Sequence, residues 1–326
     1  MIINKKNIAI IILVLFLFFL GSILNEYLIH ITIMSLIFGI AALSLNLVFG
    51  YTGLPNLAQA AFMGIGAYTS AILTVKYAIS FWIAFPIAAI ITGLPFGFLL
   101  GILSSKAKGL SFGIITLMLG ITIYIIFQGW HEVTGGFLGL GNIPVPPSIH
   151  LPYITIDFSS SVPWYSFVLI MLLVTIYFFT KLIKSRIGRT FIAIREDETL
   201  TTFSGVQTAH YKILCAIISL VFVGLAGSLY AHYLGYISPE SFKDWVSFEL
   251  IIYTFFGGAG TILGPIIGTF VLRSSFEYFQ ILSTYRLIIC GIIIILIVKF
   301  MPNGIYPFFK NKIITKLSQK NMKKAS

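Results

Sequence analysis

The chain has 326 residues, 58% of them hydrophobic and only 10% charged. So oily a composition excludes a soluble globular domain and indicates a membrane protein. The formal net charge of +11 would suit a nucleic-acid partner, but the basic residues gather where apolar runs end, so they report membrane orientation and exclude that partner.

Apolar runs of about 18 residues or more are read as membrane-spanning helices. In chain order the candidates are 8–24, 28–49, 57–76, 80–103, 110–128, 164–181, 211–233, a long segment at 247–272, and 286–301. The expected fold class is all-α, a polytopic transmembrane helical bundle of about 8–10 spans with discontinuous or re-entrant segments. The first run, MIINKKNIAIIILVLFLFFLGSIL, starts like a signal peptide but has no A-x-A-like cleavage site. An uncleaved first span is expected.

Residues 46–68 read NLVFGYTGLPNLAQAAFMGIGAY. Asn46, Asn56 and Gln59 stand beside Gly50, Gly53 and Pro55 in apolar surroundings. Each amide taken alone is better explained as hydrogen-bonding glue between helices. As a segment, however, Pro and Gly with amides near membrane depth mark an irregular element and a candidate pathway lining.

The 129–162 loop contains no lysine or arginine, as a loop on the outer side should. Its glycines and prolines indicate an ordered, non-helical surface. His131 beside Glu132 is one pair on a loop, too little for a metal or acid–base centre.

Between Lys181 and Lys212 the chain turns polar, reading KLIKSRIGRTFIAIREDETLTTFSGVQTAHYK. Acids cluster only here, at Glu196, Asp197 and Glu198. Phe191, Ile194, Leu200 and Phe203 recur at roughly helical spacing after Gly188, which predicts one amphipathic helix with Gly205 as its C-cap. Such a helix suits a groove on a soluble partner. A lipid-surface helix would carry a basic excess, and the acidic run opposes that.

Orientation follows from lysine and arginine. With a cytoplasmic N-terminus, Lys5, Lys6, Lys106, Lys108, the polar island and the basic tail 310–326 all fall inside; only Lys76, Lys243, Arg273 and Arg286 fall outside. The inside charges suit anionic membrane lipid as well. This parity holds only if 247–272 fails to cross once. A break is therefore expected near Gly257-Gly258-Ala259-Gly260 and Gly264-Pro265, and broken helices of this kind often line substrate paths.

No G-x-x-x-x-G-K-[ST] occurs, so the chain binds no nucleotide by a P-loop. Glu249 and Glu277 lie near predicted span ends and His210 and His232 at edges, a poor supply of groups for a proton relay. A membrane subunit powered by an outside partner is expected.

The residues also match a family. G-R-x-x-x-A-I-R-E-D-E from Gly188, Gly205, Tyr211-Lys212, Gly224-Leu225-Ala226-Gly227, Tyr230-Ala231-His232 and Ile237-Ser238-Pro239-Glu240-Ser241-Phe242 resemble the LivM-type permease of bacterial branched-chain amino acid ABC importers. So do Gly257-Gly258-x-Gly260-Thr261-x-x-Gly264-Pro265-x-x-Gly268 and the closing Pro302-x-Gly304-Ile305. Upstream, Leu45-Asn46-Leu47-x-x-Gly50-Tyr51-x-Gly53, Ala60-Ala61-Phe62-x-Gly64-Ile65-Gly66-Ala67-Tyr68 and Thr134-Gly135-Gly136 fit. Two departures stand out: Asn56-Leu57-Ala58-Gln59, where the family has a Ser-Leu-Gly-His-like run, and Met301, where it has Arg. The first puts substrate identity in doubt, since relatives of this class handle urea, short amides or other amino acids.

The resemblance implies a multi-pass subunit of the bacterial inner membrane with both termini cytoplasmic. It implies a homologous LivH-type permease, two cytoplasmic ATPases, a periplasmic or lipid-anchored binding protein and an amino acid substrate as partners. Residues 1–309 would form one permease domain, with a coupling segment at about 186–208. Arg189, Arg195, Glu196, Asp197, Glu198 and Gly205 would meet an ATPase. Asn46, Gly53, Asn56, Gln59, Gly257, Gly258, Gly260, Gly264 and Pro265 are the candidate pathway residues. No cofactor, metal or catalytic residue is expected. A gradient-driven carrier that works without ATPases, and an inert membrane anchor, are the competing readings.

Overall fold

The structure, a computed structural model, describes residues 23–150, 155–278 and 304–308, with the isolated positions Phe18, Gly21, Gly291, Ile292, Ile295 and Lys299. The candidate spans 8–24 and 286–301, Arg286 and the basic tail therefore lie outside the described residues, apart from those single positions. What is described is an all-α bundle, with one two-residue hairpin pairing Ile149 with Ile156 in the 129–162 loop.

Among the described residues, five helices are long and apolar enough to cross a membrane. They are α1 (Glu26–Tyr51), α3 (Phe81–Lys106), α4 (Gly109–Gly129), α5 (Ser161–Lys184) and α8 (Thr208–Leu234). Between them lie α2 (Gln59–Val75), α6 (Arg186–Glu196) and α7 (Glu198–Phe203), and α9 (Asp244–Gly257) and α10 (Leu263–Tyr278) follow. The predicted span at 247–272 is thus two helices, broken at 258–262 as the charge parity requires.

α1 is the most enclosed element, and buried side chains run along nearly its whole length. Asn25 starts it by accepting a bond from Leu28 N at 2.9 Å, and Glu26 places a negative charge in the first turn. Its last five residues, Leu47–Tyr51, widen into a π-helical turn. Widened turns of this sort are frequent at functional sites. The 17 residues of α2 extend only about 25 Å, short of the ~30 Å of hydrocarbon, so the 52–58 connection sits at membrane depth. Its backbone is satisfied by protein: Leu54 N bonds Val48 O at 3.0 Å, and Leu57 N bonds the Thr116 hydroxyl at 3.0 Å.

α8 is packed by a glycine stripe. Gly93, Gly97 and Gly101 of α3 lie on Val221, Ile217 and Ile213, and a Cβ at Gly97 would fall 2.5 Å from Ile217 Cα. Gly66 of α2 and Gly224 of α8 meet backbone to backbone. Water does not drive helix association in lipid, so close approach of this kind supplies the packing energy.

The connections sort onto two ends. At one end, Lys76 donates to the Glu132 carbonyl, Leu140 and Ile237 form a bridge at 2.9 Å, and Tyr124 bonds Glu240. His232, fully buried, holds this end too: its Nδ1 donates to the Pro144 carbonyl at 2.8 Å and its Nε2 accepts from Ser70 at 2.7 Å. The loop is partly helical, not wholly irregular as expected, with a turn at His131–Thr134 and another at Gly136–Leu138. The polar island, Lys106 and Lys108 occupy the other end, as the predicted alternation places them.

One expected position changes. Arg273, assigned to an outer loop, lies within α10 with its guanidinium carbon 3.8 Å from the centre of the Phe38 ring of α1. The apolar run ends in sequence at Arg273, but the helix does not.

Candidate functional site

The island is two helices, where its periodicity predicts one. Ser185 caps α6, and Phe191 and Ile194 bury into the bundle. Asp197 then takes an extended conformation, φ −156° and ψ 106°, and its Oδ1 accepts from Thr199 N at 2.8 Å and Leu200 N at 3.0 Å. A carboxylate in that geometry is a strong helix start. The break rotates the stripe: Leu200 and Phe203 point outward, 64% and 83% exposed, while Phe191 and Ile194 point in. Gly205 follows α7 at φ +83°, left-handed, in agreement with the predicted C-cap. A groove of about 590 Å³ opens over this surface, lined by Arg186, Arg189, Glu196, Asp197 and Leu200 among others.

Two of the residues expected to face a partner are turned elsewhere. Glu198 lies 2.6 Å from the Lys212 ammonium and 3.1 Å from that of Lys108. Lys212 is only 1% exposed and also donates to the Ser104 carbonyl at 3.0 Å. One carboxylate therefore joins the ends of α3, α4 and α8 to the start of α7. Partial burial pushes the Glu198 carboxyl up, but hydrogen bonds and charge from Lys212 and Lys108 outweigh it and hold it below its ordinary range. A depressed carboxylate stabilises the fold fully above its unfolded pKa and ceases to as pH falls through its folded value. Thermal melting should thus be insensitive to this group between about pH 5 and 8. Below about pH 4 the wild type should lose stability that Glu198→Gln no longer has to lose.

Arg195 reaches into the bundle. Its Nη1 donates to the Gly50 carbonyl at 2.5 Å, in the π-helical turn of α1. A Cβ on Gly260 would fall 2.6 Å from the same nitrogen, and one on Gly53, at φ +73°, would fall 3.2 Å from Arg195 Cγ. The guanidinium therefore sits where three elements meet: the end of α1, the 52–58 connection and the α9–α10 break.

Asn46 closes this junction. Its Nδ2 donates to Thr261 O at 2.7 Å, and its Oδ1 accepts from Gly260 N at 2.8 Å, so a buried side-chain amide pairs with the backbone of the break. Gly258 and Gly260 have φ of +119° and +76°. Gly257 meets the Gly264 carbonyl and Pro265 N, which brings the two arms of the hairpin into backbone contact, and Gly304 packs on Gly258. Gly53 and Gly260 thus lie against Arg195, Asn46 pairs with the break beside it, and Gly257, Gly258, Gly264 and Pro265 form the hairpin of that break. Asn56 and Gln59 form a neighbouring network: Asn56 Nδ2 donates to Gln59 Oε1 at 2.7 Å, and Gln59 Nε2 to the Ser44 hydroxyl at 2.8 Å. All three amides are fully buried and hydrogen-bonded within the chain, the glue geometry expected of each singly.

No group of three or more metal-ligating side chains occurs among the described residues. Arg195 ties α6 to the π turn by a hydrogen bond and lies against Gly260 of the α9–α10 break. Sequence reasoning missed Lys108, Lys212 and the Gly50 carbonyl. A lysine at the end of a long apolar span close to an acidic triplet was the available signal for Lys212; nothing local marks a backbone acceptor 145 residues from its donor.

A family described as the branched-chain amino acid transport system permease component matches residues 27–298. The chain is 29% identical over 309 residues to the high-affinity branched-chain amino acid transport system permease protein LivM of Salmonella typhimurium, covering 89% of this chain and 72% of that protein. It is 29% identical over 303 residues to LivM of Escherichia coli, covering 87% and 71%. Similarity to the permease protein LivH of Salmonella typhimurium is 25% over 312 residues, covering 89% and 96%. No solved structure matches.

Proposed function

The chain belongs to the branched-chain amino acid transport permease family, and from that premise we propose that it forms half of the membrane pathway of an ATP-driven importer for leucine, isoleucine and valine. It sits in the bacterial inner membrane with the polar island in the cytoplasm. A homologous permease of the LivH type completes the pathway, two cytoplasmic ATPases dock below, and a binding protein delivers substrate from outside. The subunit itself performs no chemistry.

The observation that carries this reading is the Arg195 connection between the island and the α9–α10 break. A transporter driven by ATPases needs a rigid path from the surface they grip to the segment that opens, because a ligand-driven change travels through packed elements with two arrangements. The island supplies the grip. Leu200 and Phe203 present exposed apolar surface beside the groove edged by Arg189 and Glu196, and an apolar anchor rimmed by charge is the usual pattern of a docking helix. Asp197 and Gly205 fix the two ends of that anchor.

Replacing both Leu200 and Phe203 by serine should reduce co-purification of the ATPases at least tenfold and leave the protein's own melting temperature within a few degrees, since neither side chain is packed in the bundle. Retention of the ATPases at wild-type stoichiometry would sink the docking assignment. The importer reading itself is tested by reconstitution: uptake of radiolabelled leucine that requires ATP, both ATPases and the binding protein supports it. Uptake driven by an ion gradient without ATPases overturns it.

A further inference from the structure

At the end of the bundle remote from the island, the turn Gly136–Leu138 holds two large apolar side chains in the open. Phe137 is 64% exposed and Leu138 82%, although Thr134, Gly136 and Ile143 around them are buried. The Tyr236 hydroxyl donates to the Leu138 carbonyl at 2.7 Å, which sets a third exposed side chain beside them. The backbone beneath is pinned. Leu140 and Ile237 exchange two bonds of 2.9 Å, and the Thr134 hydroxyl donates to the Phe127 carbonyl at 2.6 Å while accepting from Gly136 N at 3.3 Å. Gly135, Gly136 and Gly139 take left-handed φ of +77°, +60° and +74°, conformations that glycine adopts freely. This fixed backbone, not a loose loop, turns Phe137 and Leu138 outward.

Depth and charge narrow what covers them. Lys212, in the brace with Glu198, marks the island end of α8, and Leu234 is its last residue. The helix rises about 33 Å between the two, past the ~30 Å of hydrocarbon. The turn bridged to Ile237 therefore stands on the water side of the acyl chains. Among the described residues this end carries Glu26, Glu132, Asp157, Glu240 and Asp244 against Lys76 and Lys243. Segments that settle on lipid headgroups carry a basic excess; here the excess is acidic. A soluble protein fits instead, since an apolar anchor within a charged rim is the composition of a docking surface.

We propose that Phe137, Leu138 and Tyr236 are the anchor on which the soluble binding protein docks. They enter an apolar depression of that protein whose rim is basic and meets Glu132 and Glu240, which lie on the same two loops. The inference rests on the importer reading above and names the surface of this subunit that receives the loaded binding protein.

The complex of both permeases and both ATPases is reconstituted in lipid nanodiscs, which leave both faces open, and ATP hydrolysis is titrated with leucine-loaded binding protein. Replacing Phe137 and Leu138 together by serine should raise the half-saturating concentration at least tenfold, while hydrolysis without binding protein stays within twofold of wild type. Glu132→Lys should raise it about threefold at low salt and less at high salt, because rim charges act through screened attraction. Wild-type half-saturation in the double variant overturns the proposal. So does loss of the partner permease from that variant on size exclusion, which would assign the patch to the contact between permeases, and so does an equal fall of hydrolysis with and without binding protein. Tighter binding by Glu132→Lys overturns the basic rim. A wild-type complex whose hydrolysis does not respond to loaded binding protein overturns the importer reading, and this assignment with it.

Discussion

Glu198→Ala is expected to be among the most destabilising single changes in the chain, costing about 3–5 kcal/mol, the range for removing one partner of a buried ion pair. The reason lies in Lys212. It is only 1% exposed, and without Glu198 its one remaining partner among the described residues is the Ser104 carbonyl. Lys108 contributes far less, because it is well exposed and such pairs are worth at most about 1 kcal/mol. Lys108→Ala should therefore be mild. Combining Glu198→Gln with Lys212→Met should recover most of the loss, since the buried charge goes with its counter-charge and the apolar stem is retained. Thermal melting of the purified protein in detergent gives all four values. A Glu198→Ala protein as stable as wild type would show that the brace does not hold the bundle together.

The second large effect is functional and differs in kind. Arg195→Ala should leave the ATPases bound and hydrolysing ATP while leucine uptake falls at least tenfold. The side chain points away from the docking surface, and its loss cuts the tie to Gly50 and the α9–α10 break. Arg195→Lys should rescue little: an ammonium can reach one acceptor but lacks the flat, rigid head packed against Gly260. Parallel measurement of hydrolysis and uptake checks this. If both activities vanish because the ATPases dissociate, Arg195 is a docking residue after all and the connection through Gly50 is not the transmission.

Charge and hydropathy made the spans legible, because lipid imposes a simple rule on every residue in them. The break at 258–262 was legible for a stronger reason: the parity of basic loops and the glycine pattern pointed to the same place independently. The island was half legible. Its apolar spacing indicates a helix, but Asp197 accepts hydrogen bonds from the residues after it and so starts a second helix where periodicity continues the first. What a charged residue pairs with was not legible at all. Glu198, Arg195 and Arg273 look alike as charges in a string, yet one braces three helix ends, one holds a backbone carbonyl and one lies on a phenylalanine ring. Those differences are tertiary, set by partners far away in sequence.

The glycine stripe of α3 limits how the molecule can move. Each of Gly93, Gly97 and Gly101 admits the backbone of α8 at one height only, so sliding either helix by one residue drives a side chain into main chain at all three rungs. The pair has no neighbouring register to slip into. α3 and α8 must travel as one block, and α2 is locked to them through Gly66 and Gly224. Relative movement of helices has to occur outside that block, and the glycine break between α9 and α10 lies outside it.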